Sequence, residues 1–445
     1  MQNEREARAA LGRAYALYDD RDAWLSPAQR IVILTRLRGL IHEQRGGLAL
    51  EAAREGGKPL RDSLVEIERA ENGVTIALGA VGRLTGSEVP MGLNFASLGR
   101  WATTYREPRG VVLAISAFNH PFNLLIHQVV TAIAAGCPVV VKPSRSTPLC
   151  CVSLLRLLEE AGLPEGYCQM ILTEDEVTAR LVDDERIGFL SFIGSADVGW
   201  MLRSRLAPGA DCALEHGGVA PVIIDETADL DDAAPLLVKG AFYHAGQVCV
   251  SVQRIFAHES VMQGLSERML EHTSELIVGD PCSQDTDVGP LIRPAEVERV
   301  DEWVEAAQAS GAALLCGGKR LGPTTYAPTI LIDPDQQTRL SQREIFGPVA
   351  AIYSYRDLDQ AVARANLPDA YFQAAYFTNR LDRALSVSRK LHGTSVMIND
   401  HTAFRVDWMP FGGHRKSGLG TGGIEATMRD MTIERMVVFR QPAQR

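Results

Sequence analysis

From Gly110 onward the chain alternates short β-branched or apolar runs with amphipathic stretches, and that alternation limits the fold more than any other feature. The runs lie at 111–115, 139–141, 169–172 and 189–193, with an amphipathic stretch such as 147–161 between two of them. Runs of this length, separated by helical patterns, read as parallel β-α-β units with helices on both faces. A second series begins at 221–224 and recurs at 254–257, 349–353, 374–377 and 395–398. Two α/β domains in sequence account for the two series better than one. No repeat of fixed period and no low-complexity linker interrupts them. Ahead of them the chain reads as helix. Residues 4–18 are rich in alanine, leucine and arginine, Ser26-Pro27 supplies an N-cap and an N1 proline for a longer helix, and a third, 60–78, follows Gly56-Gly57.

The 445 residues exceed what one core usually supports. A net charge of −10 without a basic block argues against nucleic acid and anionic membrane surfaces. No apolar run approaches a membrane span, and the amino terminus, Met1-Gln2-Asn3-Glu4-Arg5-Glu6, is too charged for a signal peptide. A cytoplasmic address is expected. The eight cysteines show no C-x-x-C pair and no histidine partner at zinc spacing, so neither disulfides nor a structural metal is expected.

Cys249, in Gly246-Gln247-Val248-Cys249, has small or apolar neighbours that let a thiolate approach a substrate carbon, and Glu215, in Leu214-Glu215-His216-Gly217-Gly218, can activate a water against the resulting thioester. The bland alternative is a buried structural cysteine. Gly418-Leu419-Gly420-Thr421-Gly422-Gly423 satisfies G-x-G-x-x-G, but no strand leads into it and too little chain follows, so it reads as a loop. Phe192-Ile193-Gly194-Ser195-Ala196-Asp197-Val198-Gly199 follows a strand and opens a helix, where backbone N–H groups attract a pyrophosphate. Lys142 emerges at the end of an apolar strand and can reach a ribose hydroxyl or simply solvent. Asn119, in Ile115-Ser116-Ala117-Phe118-Asn119-His120-Pro121, can donate to an oxyanion or cap a helix.

Together with Glu344-Ile345-Phe346-Gly347-Pro348, Met397-Ile398-Asn399 and Pro410-Phe411-Gly412-Gly413, these segments resemble the aldehyde dehydrogenase superfamily, in its order, from about Trp24 to the carboxyl terminus. The resemblance implies an α/β fold with a Rossmann-like cofactor domain (1–85 and 109–217), an α/β catalytic domain (218–415) and a small β oligomerisation extension (86–108 and 430–445). It implies an oxidoreductase that takes an aldehyde to the carboxylic acid with NAD or NADP through a cysteine thiohemiacetal and thioester. Cys249 would be the nucleophile, Asn119 the oxyanion donor and Glu215 the base. Ile115, Ser116, Lys142, Ser144, Arg145, Gly194, Ser195, Gly199, Glu344 and Phe346 would line the cofactor. Branches that pass the acyl group to coenzyme A commonly lack a glutamate at the position of Glu215, so hydrolysis is favoured. A non-catalytic binding protein on this fold would be suggested by loss of Asn119, Glu215 or Cys249, and all three are present.

Three departures from the family bear on function. Many members carry an additional segment with a β-hairpin ahead of the first helix, and this chain begins at that helix. Arg145 stands where NAD-preferring members often have a glutamate; a guanidinium there removes repulsion of a 2′-phosphate, so NADP is expected to be accepted. Arg405, in Phe404-Arg405-Val406-Asp407-Trp408-Met409, lies on the loop that lines the family's substrate mouth and suits a small anionic or hydroxy aldehyde, or else staples the loop through Asp407. With His120 and Arg69 it points toward the phosphonoacetaldehyde and lactaldehyde dehydrogenase branches, although Val248 replaces the arginine usual in the former. A carboxylate-bearing semialdehyde is the alternative substrate. Residues 93–109 and 434–439 resemble the family's assembly strands, so a homodimer or a dimer of dimers is expected.

Overall fold

The computed structural model describes residues 1–441. Three helices open the chain: α1 (Glu4–Asp19), α2 (Pro27–Gly56) and α3 (Leu60–Val81). The start of α2 is fixed by a capping box, in which Ser26 accepts from the Gln29 N–H while the Gln29 side chain takes the Ser26 N–H, with Pro27 in the first turn. Its end is fixed by Gly57, whose φ of 73° is a left-handed conformation that stops the helix and turns the chain directly into α3.

The first strand series forms a six-stranded sheet in the order Gly418–Leu419, Asp211–Glu215, Ile187–Ile193, Val111–Ile115, Val139–Lys142, Cys168–Met170. All neighbours are parallel except the first pair. Side chains alternate between faces as the strand period requires. Val112, Ala114, Val139, Val141 and Phe189 pack into the core beneath α2 and α3, whereas Val111, Leu113, Ile115, Val140 and Leu190 pack toward α1. Both faces are therefore covered, and every residue of Val111–Ile115 is buried. The chain runs outward from this strand and then returns to its other side at Ile187–Ile193. The order reverses between these two strands, and such switch points open a crevice at the carboxyl ends of the strands.

The second series builds a seven-stranded sheet, Ala313–Cys316, Thr329–Ile332, Val349–Tyr355, Arg254–His258, Pro221–Ile224, Gln373–Phe377, Ser395–Ile398. Only Ala313–Cys316 is antiparallel. Neither it nor Thr329–Ile332 is anticipated from sequence, because each is only four residues long and Ala-Leu-Leu-Cys favours helix as much as strand. A third sheet pairs Glu88–Val89, Arg100–Pro108 and Thr432–Arg440, with Arg100 opposite Arg440 and Pro108 opposite Thr432. The expected partner strand at 434–439 thus lies within a longer hairpin-like pairing. The last four residues of the 430–445 segment lie outside the described residues.

The 418–423 segment differs from the loop expected of it. Gly418–Leu419 adds an antiparallel strand to the edge of the cofactor-side sheet, with Gly418 opposite Glu215. Glycine is required there for closeness: a Cβ on Gly418 would stand 2.3 Å from the Leu214 carbonyl oxygen. The short strand ties the carboxyl-terminal part of the chain to the strand that delivers Glu215.

Candidate active site

A cleft of about 640 Å³ opens at the carboxyl ends of the six-stranded sheet and is closed from the other side by loops of the seven-stranded one. Cys249 reaches it through a tight turn. After the helix Leu230–Phe242, residues His244, Ala245 and Gly246 all have positive φ, at 49°, 54° and 69°. Such conformations are strained for His and Ala and persist only where their surroundings enforce them. Here Gly246 is pressed so closely on the Gly347 carbonyl that a Cβ would stand 2.1 Å away. Gln247 then locks the turn. Its Oε1 accepts from the Ile292 N–H at 3.0 Å and its Nε2 donates to the Pro290 carbonyl at 3.3 Å.

The Asn119 amide is fixed against the same turn. Its Nδ2 donates one hydrogen to the Gln247 carbonyl at 2.9 Å, which leaves the second N–H for the cleft beside Cys249. Glu215 ends its strand on the cleft wall, and the three groups sought from sequence are thereby brought together.

Their electrostatics follow from exclusion of water. Burial, with the carboxylates of Glu215 and Glu344 adding to it, pushes the Cys249 thiol well above its usual range, and Arg405 opposes the shift. Burial raises Glu215 to about 7 and Glu344 to about 8, with Arg405 and Arg299 respectively pulling the other way. Arg405 is itself lowered by burial to about 10 and stays charged at neutral pH.

Arg405 lies over the Phe411 ring, 3.5 Å from its centroid, and its Nη1 is buried with no partner among the described residues. It does not staple the loop through Asp407. That carboxylate is filled by Arg69, whose Nε and Nη2 donate at 3.0 and 2.9 Å, by Asn123 Nδ2 at 3.3 Å and by His127 Nε2 at 2.9 Å. Against the effect of burial, these partners hold Asp407 well below the usual carboxylate range. Arg69 therefore reaches the cleft as one half of an ion pair. His120, within 3.4 Å of the Tyr243 hydroxyl, is driven neutral by burial and by Lys58 and Arg69 nearby, so it offers a hydrogen bond and no charge. Asn123, His127 and Tyr243 were not anticipated, and Asp407 was expected only as a partner of Arg405. Nothing local in sequence marks Asn123 and His127, which meet Asp407 only when the 405–407 loop packs on the helical segment after Asn119.

Of the residues expected at a cofactor, Ile115, Ser116, Lys142, Ser144, Arg145, Gly194, Ser195, Glu344 and Phe346 line the same cleft, whereas Gly199 does not and sits inside the following helix. Lys142 bonds Asp175 at 3.1 Å, while Arg145 is exposed and pairs with Glu174 at 2.6 Å and Asp175 at 3.1 Å. Ser195 is the N-cap of the helix Ala196–Arg203 but makes no side-chain cap bond, which leaves first-turn N–H groups open. Behind that turn the His216 ring, with Nδ1 3.0 Å from the Gly194 carbonyl, fills the space a Gly199 side chain would need. Glu344 is folded against Gly217, where a Cβ would stand 1.9 Å from its Oε2. Phe346 meets Phe118 edge-on at 5.8 Å. The buried Ser116 Oγ and Glu344 Oε1 have no partner among the described residues. Open hydroxyl and carboxylate groups beside uncapped backbone N–H groups, at a switch-point crevice, suit the riboses and pyrophosphate of a dinucleotide.

Cys249, Asn119 and Glu215 line one cleft at the switch point of an α/β sheet. The sequence profile described as the Aldehyde dehydrogenase family matches residues 1–437. The chain is 39% identical over 416 residues to the 3-sulfolactaldehyde dehydrogenase of Priestia aryabhattai, covering 93% of this chain and 87% of that one. Among solved structures it is similar to the glyceraldehyde-3-phosphate dehydrogenase GapN of Methanocaldococcus jannaschii complexed with NADP (TM-score 0.93, 35% identity, 99% of this chain and 95% of that one). It is also similar to aldehyde dehydrogenase 21 of Physcomitrella patens in complex with its reaction product succinate (TM-score 0.94, 31% identity, 99% and 91%). The chain belongs to the aldehyde dehydrogenase family. It is an oxidoreductase that uses NAD or NADP to convert an aldehyde to the carboxylic acid.

Proposed function

We propose that Cys249 is the nucleophile, Asn119 the oxyanion donor and Glu215 the hydrolytic base. The Cys249 thiol first gives its proton to solvent water, a loss that Arg405 favours against burial; the thiolate sulfur then attacks the aldehyde carbon, and the carbonyl oxygen takes the displaced electron pair. The free Asn119 N–H and the Cys249 backbone N–H hold that oxyanion. Nicotinamide, when bound, supplies the hydride acceptor that lets the adduct become a thioester. Glu215, raised to about 7, then removes a proton from water as the water oxygen bonds the acyl carbon; the C–S bond breaks and the Cys249 thiolate is regenerated. Lys142 and Glu344 are assigned to the riboses, Gly194 and Ser195 to the pyrophosphate, and Ile115, Ser116 and Ser144 to the surrounding wall, with Phe346 against the nicotinamide; Gly199 is assigned to the close packing behind the pyrophosphate turn. Residues 1–85 and 109–217 form the cofactor domain, 218–415 the catalytic domain, and 86–108 with 430–445 the oligomerisation segment.

We infer a small anionic aldehyde as substrate. The observation that carries this is Arg405, a charged guanidinium on the cleft wall with a buried, unpartnered Nη1. Unmatched N–H groups in a water-poor site favour a carboxylate, sulfonate or phosphonate. The relative named for sulfolactaldehyde favours a sulfonate, and the neighbour holding succinate favours the second reading, a carboxylate-bearing semialdehyde. Assembly as a homodimer or dimer of dimers, in the cytoplasm, completes the proposal. Phe95, 95% exposed, with Leu93, Trp101 and Phe439, gives the third sheet an apolar surface that water alone would leave costly.

Three measurements test these assignments. In a steady-state screen of neutral, carboxylated, sulfonated and phosphonylated aldehydes, Arg405→Ala is expected to lower kcat/KM for the anionic substrates about 10- to 100-fold relative to a neutral one, the worth of a charge-assisted hydrogen bond. An unchanged ratio defeats the anion reading. Arg145 is assigned to the 2′-phosphate, whose dianion competes with the exposed Glu174 and Asp175 pairs. Arg145→Glu is therefore expected to lower the NADP/NAD ratio of kcat/KM at least about tenfold; a strong NAD preference that the substitution does not move removes the role. Sedimentation equilibrium is expected to show a dimer or tetramer, and a monomer at micromolar concentration contradicts it.

A further inference from the structure

The corner where α2 turns into α3 carries a run of charged side chains, several of which hold segments that line the cleft. On α3, positions 62, 66 and 69 fall on one face of the helix. A buried helix face is ordinarily apolar, yet here it holds Asp62, Glu66 and Arg69, with Lys58 just ahead. Lys58 is fully buried and Glu66 is 1% exposed.

Glu66 divides its two oxygens. Oε1 accepts from the backbone N–H groups of Phe122 and Asn123, both at 2.9 Å, immediately after the Asn119 loop. Oε2 accepts from Lys58 Nζ at 2.5 Å, which neutralises the carboxylate inside the protein. The other charges reach different segments. Asp62 faces the His244 backbone N–H in the turn that delivers Cys249. Arg69 holds Asp407 of the Arg405 loop in a two-point ion pair. Glu55, in the last turn of α2, accepts from the N–H groups of Leu149 and Cys150 at 2.7 and 2.9 Å, capping the helix that follows the Lys142 loop. The corner also touches the loop that anchors Gln247. The Leu60 N–H donates to the Pro281 carbonyl at 2.7 Å, and a Cβ on Gly289 would stand 2.1 Å from the Gly57 carbonyl oxygen.

Packing alone would leave these loops free to slide by fractions of an ångström. A carboxylate that satisfies two backbone N–H groups fixes direction as well as distance, and any displacement strands a buried charge and two donors. We propose that the 55–69 corner is a positioning device that sets the Asn119 amide against Cys249, with Glu66 as its central positioning residue. The proposal rests on the oxyanion role assigned to Asn119. Glu66 itself touches neither substrate nor cofactor.

A double-mutant cycle tests it. Lys58→Met with Glu66→Leu removes the buried pair together, so no lone charge remains; Glu66→Asp keeps the charge but shortens its reach, and serves if the first variant does not fold. Either variant, checked for a cooperative thermal transition, is expected to lose kcat at least about 30-fold while KM for the cofactor changes less than about twofold. In the wild type, Asn119→Ala is expected to cost about 100-fold or more in kcat, the loss typical of a removed oxyanion donor. In the Glu66 background the same substitution is expected to cost no more than about threefold, because the donor is already misplaced. Equal costs in both backgrounds, or an unchanged kcat in the Glu66 variants, overturns the positioning role. No loss from Asn119→Ala in the wild type removes the oxyanion assignment, and the proposal with it.

Discussion

Exclusion of water from a cleft that must hold charge is the constraint on which the rest of this structure depends. Cys249, Glu215, Glu344 and Arg405 share one space, and burial acts on each in the direction that disfavours its ion. The thiol is kept protonated, one carboxyl is moved into the range where it can accept a proton from water near neutral pH, and the guanidinium is left as the resident cation. The same low dielectric makes each later charge, oxyanion or thiolate, strongly dependent on the few donors that face it.

Those donors are held by architecture from both halves of the chain. The crevice exists because the strand order reverses between Val111–Ile115 and Ile187–Ile193. Asn119 comes from the end of the first of these strands, and Cys249 from a strained turn on the other sheet. The hydrogen bond from Asn119 Nδ2 to the Gln247 carbonyl joins them. The strain at His244 and Ala245 and the close contact at Gly246 belong to that junction. The Lys58–Glu66 pair connects the helical corner to the segment just after Asn119.

Much of this was legible in sequence because it is written in local patterns. The strands Val111–Ile115 and Pro221–Ile224 have the expected bounds, since their β-branched runs have sharp turn residues at each end. Ser26-Pro27 marked the start of α2 by its capping chemistry. Cys249, Glu215 and Asn119 converge on one cleft, as the ordered motifs implied. Contacts across long chain separations were not legible. Asp407 looked like the partner of Arg405 two residues away, but Arg69, from α3, takes it. Gly418–Leu419 looked like a loop because its partner strand lies some two hundred residues earlier. Asp62 and Glu66 on α3 were not singled out in sequence, because carboxylates at helical spacing ordinarily mark a solvated face.

In the proposed reaction Glu215, tuned by burial, serves hydrolysis of the acyl-enzyme and not its formation. Rapid mixing of Glu215→Gln with NADP and a good aldehyde, followed by absorbance of the reduced cofactor, separates the two stages. A burst of about one reduced cofactor per subunit at nearly the wild-type rate is expected, with a steady-state rate at least about 100-fold below wild type. In the wild type the hydrolysis rate is expected to rise with pH through about 7, as Glu215 loses its proton. Loss of the burst in proportion to turnover, with no acyl-enzyme detected on Cys249, would overturn the hydrolytic role of Glu215.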